Sequence, residues 1–253
     1  MRDETIMRNK ALKHPTLSAQ DDYALHDAEL FKNIKYFYEP NIDVEEILLI
    51  KNFCRIQKIA PEQTLFFRDD PSDGIYLILK GEVKQIFISR NGKETTLEYN
   101  KKGDWIGFAS GLTNSGREIN VVACTNVIVA SIPKRAFDIL ISNDKFKIFF
   151  IEYMCKSTQN LYFFSETVSL LDLEARLART LLRISTKKRN NHYGDVLICK
   201  PLSQSSISSL VNASRPKVNT KIRSWLSEGI IKMENGRIFL LDEPYIRAIA
   251  QLD

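Results

Sequence analysis

Two hydrophobic periods alternate along the 253-residue chain. Between residues 54 and 133, apolar residues come in short runs rich in β-branched and aromatic types, at 64–67, 75–79, 83–88, 94–99, 120–123 and 127–130. Turn residues punctuate them at Asp73-Gly74, Asn91-Gly92 and Lys102-Gly103-Asp104. Short strands broken in this way predict a double-sheet jelly roll or barrel. Asn91-Gly92 between two runs predicts a two-residue hairpin with positive φ at both turn positions.

On either side of this block the period is helical or absent. Residues 1–28 are polar and aperiodic, which predicts a loose tail. Residues 29–53 place Leu30, Phe31 and Ile34, then Val44, Ile47, Leu48 and Ile50, at helical spacing, which predicts short helices. In 134–171, Phe146, Phe150, Tyr153, Ser157, Asn160, Phe164, Val168 and Leu171 fall close to a heptad seam. Such a seam fits a helix packed on its own domain or one paired with a second copy; its length against a small sheet favours the second copy. Asp172 suits the N-cap of a further helix whose apolar face is Leu173, Leu177, Leu181 and Ile184. Residues 187–191 read as a charged loop and 196–198 as a short strand.

Residues 201–223 predict a helix, a tight turn and a second helix. Ser203 is a good N-cap, and Ile207, Leu210 and Val211 give the first helix its inner face. Asn212 stands at the turn, where a residue tolerant of left-handed φ is required. Ser214 caps the second helix, and Pro216 in its first turn forfeits no hydrogen bond. Val218, Ile222 and Trp225 point inward, which turns Arg215, Lys217, Asn219, Thr220 and Arg223 outward. Arg matches guanine in two hydrogen bonds and Asn matches adenine, while Lys and Ser suit phosphate. Asn235-Gly236 joins two further short strands, as in the wing of a winged helix.

Charge sharpens this picture. The net charge is +5, yet residues 176–223 carry eleven Lys or Arg against the single acid Asp195. A basic block on a near-neutral remainder is the footprint of a polyanion partner, although a charge run alone also fits a solvated face. Cys54, Cys124, Cys155 and Cys199 form no CxxC pair, and His14, His26 and His192 lie at no metal-ligand spacing from a cysteine, so neither cofactor nor metal is expected. Met1-Arg2-Asp3-Glu4 opens no secretory signal, and no apolar run approaches a membrane span. The expected location is cytoplasmic.

From about residue 54 to 250 the chain resembles the Crp/Fnr family of bacterial transcription regulators. The resemblance rests on residues 75–83 (Ile-Tyr-Leu-Ile-Leu-Lys-Gly-Glu-Val), on Asn91-Gly92-Lys93-Glu94 and Gly103-Asp104-Trp105-Ile106-Gly107, on 175–182 (Ala-Arg-Leu-Ala-Arg-Thr-Leu-Leu), and on Ser214-Arg215-Pro216-Lys217-Val218. It implies an α+β fold: a tail over 1–28, a β-roll effector domain over 29–133, a long dimerisation helix over 134–171, and a winged helix-turn-helix over 172–253. The implied function is sequence-specific binding of double-stranded DNA by a homodimer, without enzymatic activity, with RNA polymerase and a small-molecule effector as further candidate partners. Ser203, Gln204, Ser214, Arg215, Lys217, Asn219, Thr220 and Arg223 are the candidate DNA contacts. Arg176, Arg179, Lys187 and Lys188 join Ser203, Lys217 and Arg223 as candidates for phosphate.

Departures from the family pattern define the effector question. In cyclic-nucleotide members a Glu that holds ribose follows the Gly matched by Gly107; here it is Phe108. Arg117 matches the phosphate-binding Arg, but the hydroxyl residue after it is Glu118. The two adenine-reaching hydroxyl residues are matched by Leu161 and Tyr162. These losses argue against cAMP, and Arg117 then either pairs with Glu118 or another acid or keeps a ligand role. In the second helix, Pro216 replaces the usual Glu and Thr220 the second base-reading Arg, so the target sequence differs from the common one. A cyclic-nucleotide-responsive regulator is the nearest rival. A cupin-type enzyme would need histidine ligands on the strands, and residues 54–133 contain no histidine.

Overall fold

The computed structural model describes residues 52–190, 194–199 and 201–251; the expected tail over 1–28 and, except for residues 52 and 53, the expected helices over 29–53 lie outside them. The described residues form two compact units: 52–87 with 98–156, and 88–97 with 157–251. Among them, no helix is long and apolar enough to cross a membrane.

β1 (Arg55–Ile59), β2 (Thr64–Phe66), β3 (Ile75–Lys80), β4 (Glu82–Ile88), β5 (Glu94–Lys101), β6 (Trp105–Ile106), β7 (Asn120–Ala123) and β8 (Val127–Ile132), which belong to the first unit apart from residues 88–97, build two antiparallel four-stranded sheets. Their strand orders are β1-β8-β3-β6 and β2-β7-β4-β5. This is the expected double-sheet roll, with β1 and β6 added to the strands read from sequence. Every residue of β8 is buried, so its sequence shows an unbroken apolar run instead of alternation.

The β4–β5 turn departs from its expected type. Only Gly92 has positive φ (76°), and Asn91 does not. The Gly92 amide donates to the Ser89 carbonyl (2.9 Å) and the Ser89 amide to the Lys93 carbonyl (3.0 Å). The loop is therefore a three-residue connection, a turn closed by a left-handed glycine, and Asn91 needs no special conformation.

Three helices complete this unit: α1 (Phe108–Thr113), α2 (Lys134–Ser142) and the start of α3 (Asp144–Leu170). Residues 134–171 are thus two helices instead of one. Asn143 separates them, its side-chain oxygen accepting from the amides of Lys145 (3.0 Å) and Phe146 (3.2 Å). That local bond ends one helix and starts the next. The expected heptad seam is also corrected. Phe146 and Phe150 are fully buried, with Phe146 5.6 Å and Phe150 5.8 Å edge-to-face from Trp105, so they belong to the core of their own unit. The opposite face of α3 carries exposed Ile148, Ile151, Cys155, Thr158 and Tyr162 at alternating steps of three and four.

The second unit holds the rest of α3, then α4 (Leu173–Ile184), β9 (Ser185–Asn190), β10 (Gly194–Cys199), α5 (Gln204–Leu210), α6 (Arg215–Ser227), β11 (Ile231–Glu234), β12 (Arg237–Leu240) and α7 (Glu243–Ile249). Asp172 caps α4, its carboxylate accepting from the Ala175 amide at 2.9 Å. One antiparallel sheet runs β11-β12-β10-β9. The expected charged loop over 187–191 is in its first part the edge strand β9; the exposed lysines that masked it are what an outer strand carries to discourage further pairing. Asn235 (φ 49°) and Gly236 (φ 72°) close the β11–β12 hairpin as the expected two-residue turn. Leu177, Leu181, Ile207, Val211, Val218, Ile222, Trp225 and Ile246 share one core.

Candidate nucleic-acid interface and effector site

The second unit presents α5 and α6 as sequence predicts. The Ser203 hydroxyl caps α5 by accepting from the Ser206 amide at 3.0 Å. Asn212 takes φ 52° in the turn, a conformation that its short polar side chain tolerates. Val218, Ile222 and Trp225 are buried beneath α6, and Ser214, Arg215, Pro216, Lys217, Thr220 and Arg223 are exposed on it. The expected Ser214 cap is corrected: Ser214 stands at the N-cap position but its side chain makes no cap bond, and Pro216 in the first turn has no amide hydrogen to satisfy.

Two cross-links order this surface. Arg215 donates to the Ser205 hydroxyl (2.7 Å), and the Asn219 amide nitrogen donates to the Gln204 side-chain oxygen (2.9 Å). Sequence alone does not reveal these bonds, because they join residues ten and fifteen positions apart across a turn. Asn219 is half-buried and its side-chain oxygen is enclosed without a partner, so its amide faces Gln204 more than solvent. The Thr220 hydroxyl donates to the Pro216 carbonyl (3.0 Å), within its own helix.

The expected phosphate contacts divide. Ser203, Lys217 and Arg223 are exposed around α5 and α6. Lys187 and Lys188 are exposed on β9, at the opposite edge of the sheet from the β11–β12 hairpin. Arg176 is half-buried, with its Nε enclosed. Arg179 is corrected: it is buried, donates to the carbonyls of Ala250 (2.8 Å) and Gln251 (3.3 Å), and pairs with Glu166 at 3.0 Å. Buried among those partners, the guanidinium does not reach the surface where a phosphate would bind.

In the first unit, Arg117 sits only 1% exposed at the position where the resemblance puts an anion-binding arginine. Its Nη1 donates to the Gly107 carbonyl (2.9 Å) and the Ser110 hydroxyl (3.1 Å). Its Nη2 donates to Asp73 (2.6 Å) and the Gly74 carbonyl (2.9 Å). The cation lies over the ring of Phe66, 4.4 Å from its centroid, and 5.3 Å from that of Tyr76. Asp73 also accepts from the Tyr76 hydroxyl at 2.7 Å, and burial pushes that phenol well above its ordinary range. The acid that pairs with Arg117 is therefore Asp73; Glu118 is exposed and is not the partner. Asp73 lies 44 positions away in sequence, too far for a local pattern to reveal.

Gly107 has φ 67°, and a Cβ there would collide with the Arg117 guanidinium. Phe108 turns its ring toward Phe150 (6.0 Å) and Tyr153 (5.9 Å), edge to face. Leu161 and Tyr162 are exposed on α3. Among the described residues, no group of three His, Cys, Asp or Glu could hold a metal ion. The four cysteines form no disulfide; Cys155 is exposed, while burial pushes the Cys199 thiol up to about 12.

Known proteins agree with this architecture. The cyclic nucleotide-binding domain family matches residues 56–144, and the Crp-like helix-turn-helix domain family matches residues 175–249. The cAMP-activated global transcriptional regulator CRP of Salmonella typhimurium is 28% identical over 188 residues, 73% of this chain and 89% of that protein. The c-di-GMP responsive global regulator CLP of Xanthomonas campestris superposes with a TM-score of 0.65 at 19% identity, over 78% of this chain and 99% of that one. A CRP-family transcriptional regulator of Thermus thermophilus gives a TM-score of 0.62 at 20% identity, over 77% of this chain and 96% of that one.

Replacing Asp73 with Ala leaves a buried guanidinium without its counter-charge. Urea denaturation of the Asp73→Ala variant is expected to show a loss of about 1–3 kcal/mol, less than a fully buried pair would cost because the carboxylate reaches solvent. Unchanged stability would mean that the guanidinium is held by its neutral acceptors alone.

Proposed function

The chain belongs to the Crp/Fnr family of DNA-binding transcription regulators, and on that premise we propose that it acts as a homodimer reading a pseudo-palindromic site under a signal other than cAMP. The observation that carries this reading is the set of exposed residues Arg215, Lys217, Thr220 and Arg223 on a helix whose opposite face is buried. Arg215 in the major groove offers two hydrogen bonds to guanine. Lys217, Arg223 and Ser203 supply phosphate contacts, which give affinity and register without sequence information. Ser214 and Gln204 lie beside these residues and join the same surface. Asn219 reads adenine only after releasing Gln204.

The exposed stripe of Ile148, Ile151, Cys155, Thr158 and Tyr162 on α3 supports the homodimer. Its three-four spacing is that of a two-stranded coiled coil, and apolar Ile148 and Ile151 gain from being covered. Two-fold pairing sets the α6 helices on successive major grooves of one duplex, with half-sites about one helical turn apart. RNA polymerase and an effector molecule are the further partners of this reading, and the cytoplasm is its place.

The spent Arg117 supports an effector other than cAMP. An arginine that already donates to a carboxylate, two carbonyls and a hydroxyl must surrender those bonds to take a cyclic phosphate. Phe108 offers no acceptor to a ribose. The rival reading, a cyclic-nucleotide-responsive regulator, is favoured by the matched domain and by the cAMP-activated relatives. Exposed Leu161 and Tyr162 are effector-facing candidates under either reading.

Arg215→Ala is expected to cost about 1–3 kcal/mol of discrimination in gel shifts against genomic fragments, with binding that weakens steeply as salt is added. Wild-type affinity of that variant for the same fragment would overturn the assignment. Calorimetry with cAMP and cGMP is expected to give no saturable heat in the micromolar range; micromolar binding of either would establish the rival.

A further inference from the structure

The face of α6 turned away from solvent holds a polar contact that the DNA-reading residues do not explain. Glu174, the second residue of α4, spends both carboxylate oxygens on α6. One lies 2.8 Å from the Lys221 ammonium, and the other accepts from the Trp225 indole nitrogen at 3.0 Å. Lys221 and Trp225 stand four residues apart, one turn along α6 on the same face, next to buried Ile222. The ammonium and the carboxylate are each only about 30% exposed, at 30% and 31%. The hydrogen bond to Glu174 raises the Lys221 pKa, so the cation is retained there.

The rest of the bed beneath α6 is apolar: Val218, Ile222 and the ring of Trp225 against Leu177, Leu181 and Ile207. Such contact is non-directional: it chooses which face of α6 is buried but sets the rotation of the helix about its own axis only coarsely. Two hydrogen bonds from positions i and i+4 to one carboxylate are directional, and they select one rotation. The rotation of α6 sets where Arg215, Lys217 and Arg223 point.

We propose that Glu174 is a positioning residue that fixes the rotation of α6 through Lys221 and Trp225, and so sets base discrimination without touching DNA. This deepens the DNA-reading function above and rests on it. Lys221, although it belongs to the basic block, faces Glu174 and serves as an internal anchor.

The test uses the full chain and two duplexes: one recovered by selection from a random library with the wild-type protein, and a scrambled copy. Affinities are read by fluorescence anisotropy at one salt concentration. Glu174→Ala is expected to weaken binding to the selected duplex about tenfold, the scale of one mismatched base pair, and to leave the scrambled duplex unchanged. Glu174→Gln keeps an acceptor for Trp225 and loses the ion pair, so it falls between. Adding Lys221→Met to Glu174→Ala removes the stranded ammonium; thermal stability returns while discrimination stays low, whereas a merely structural role would restore both. An unchanged ratio of selected to scrambled affinity in both Glu174 variants, or equal losses on the two duplexes, overturns the proposal. If the wild-type protein itself recovers no preferred duplex, the DNA-reading function fails, and the proposal fails with it for that separate reason.

Discussion

Burying Val218, Ile222 and Trp225 decides which side of α6 meets solvent. With that ridge in the core, helical geometry puts Arg215, Lys217, Thr220 and Arg223 outside. The cationic surface follows from the hydrophobic one. The turn at Asn212, the cap at Ser203 and the Ser205 and Gln204 cross-links refine a direction that apolar burial has already chosen. Dispersion and the hydrophobic effect supply the energy, and hydrogen bonds supply the angles.

The first unit applies the same economy to a buried charge. A guanidinium in an apolar roll is costly unless its donors are matched. The two Nη groups of Arg117 are matched from within, by Asp73, two backbone carbonyls and a hydroxyl, and the cation lies over the faces of Phe66 and Tyr76, while its Nε stays enclosed without a partner. A domain of the cyclic-nucleotide-binding type thereby carries its own counter-anion beside the arginine that the resemblance would match to an external anion. The left-handed Gly107 beside it leaves room for the guanidinium, which links a backbone conformation to a charge arrangement.

Features governed by near neighbours were legible in the sequence. Asn235-Gly236, the Asp172 and Ser203 caps and the inward ridge of α6 each follow from residues within one or two turns of one another. Features governed by distant partners were not. Nothing near Arg117 names Asp73, and nothing near Glu174 names Lys221 and Trp225. Periodicity misled where two faces of one element are apolar: α3 buries Phe146 and Phe150 on one side and exposes Ile148 and Ile151 on the other. Charge misled at β9, where lysines on an edge strand resemble a loop. The three-residue β4–β5 turn was missed because Asn-Gly suits two kinds of hairpin, and only strand register tells them apart.

The most direct measurement is a hydroxyl-radical footprint of the protein on a DNA fragment that it selects. Paired helices on a two-fold axis predict two protected patches of equal strength, about one helical turn apart and related by symmetry. A single patch, or uniform weak protection along the fragment, would contradict the claim that α6 enters the major groove twice on one duplex.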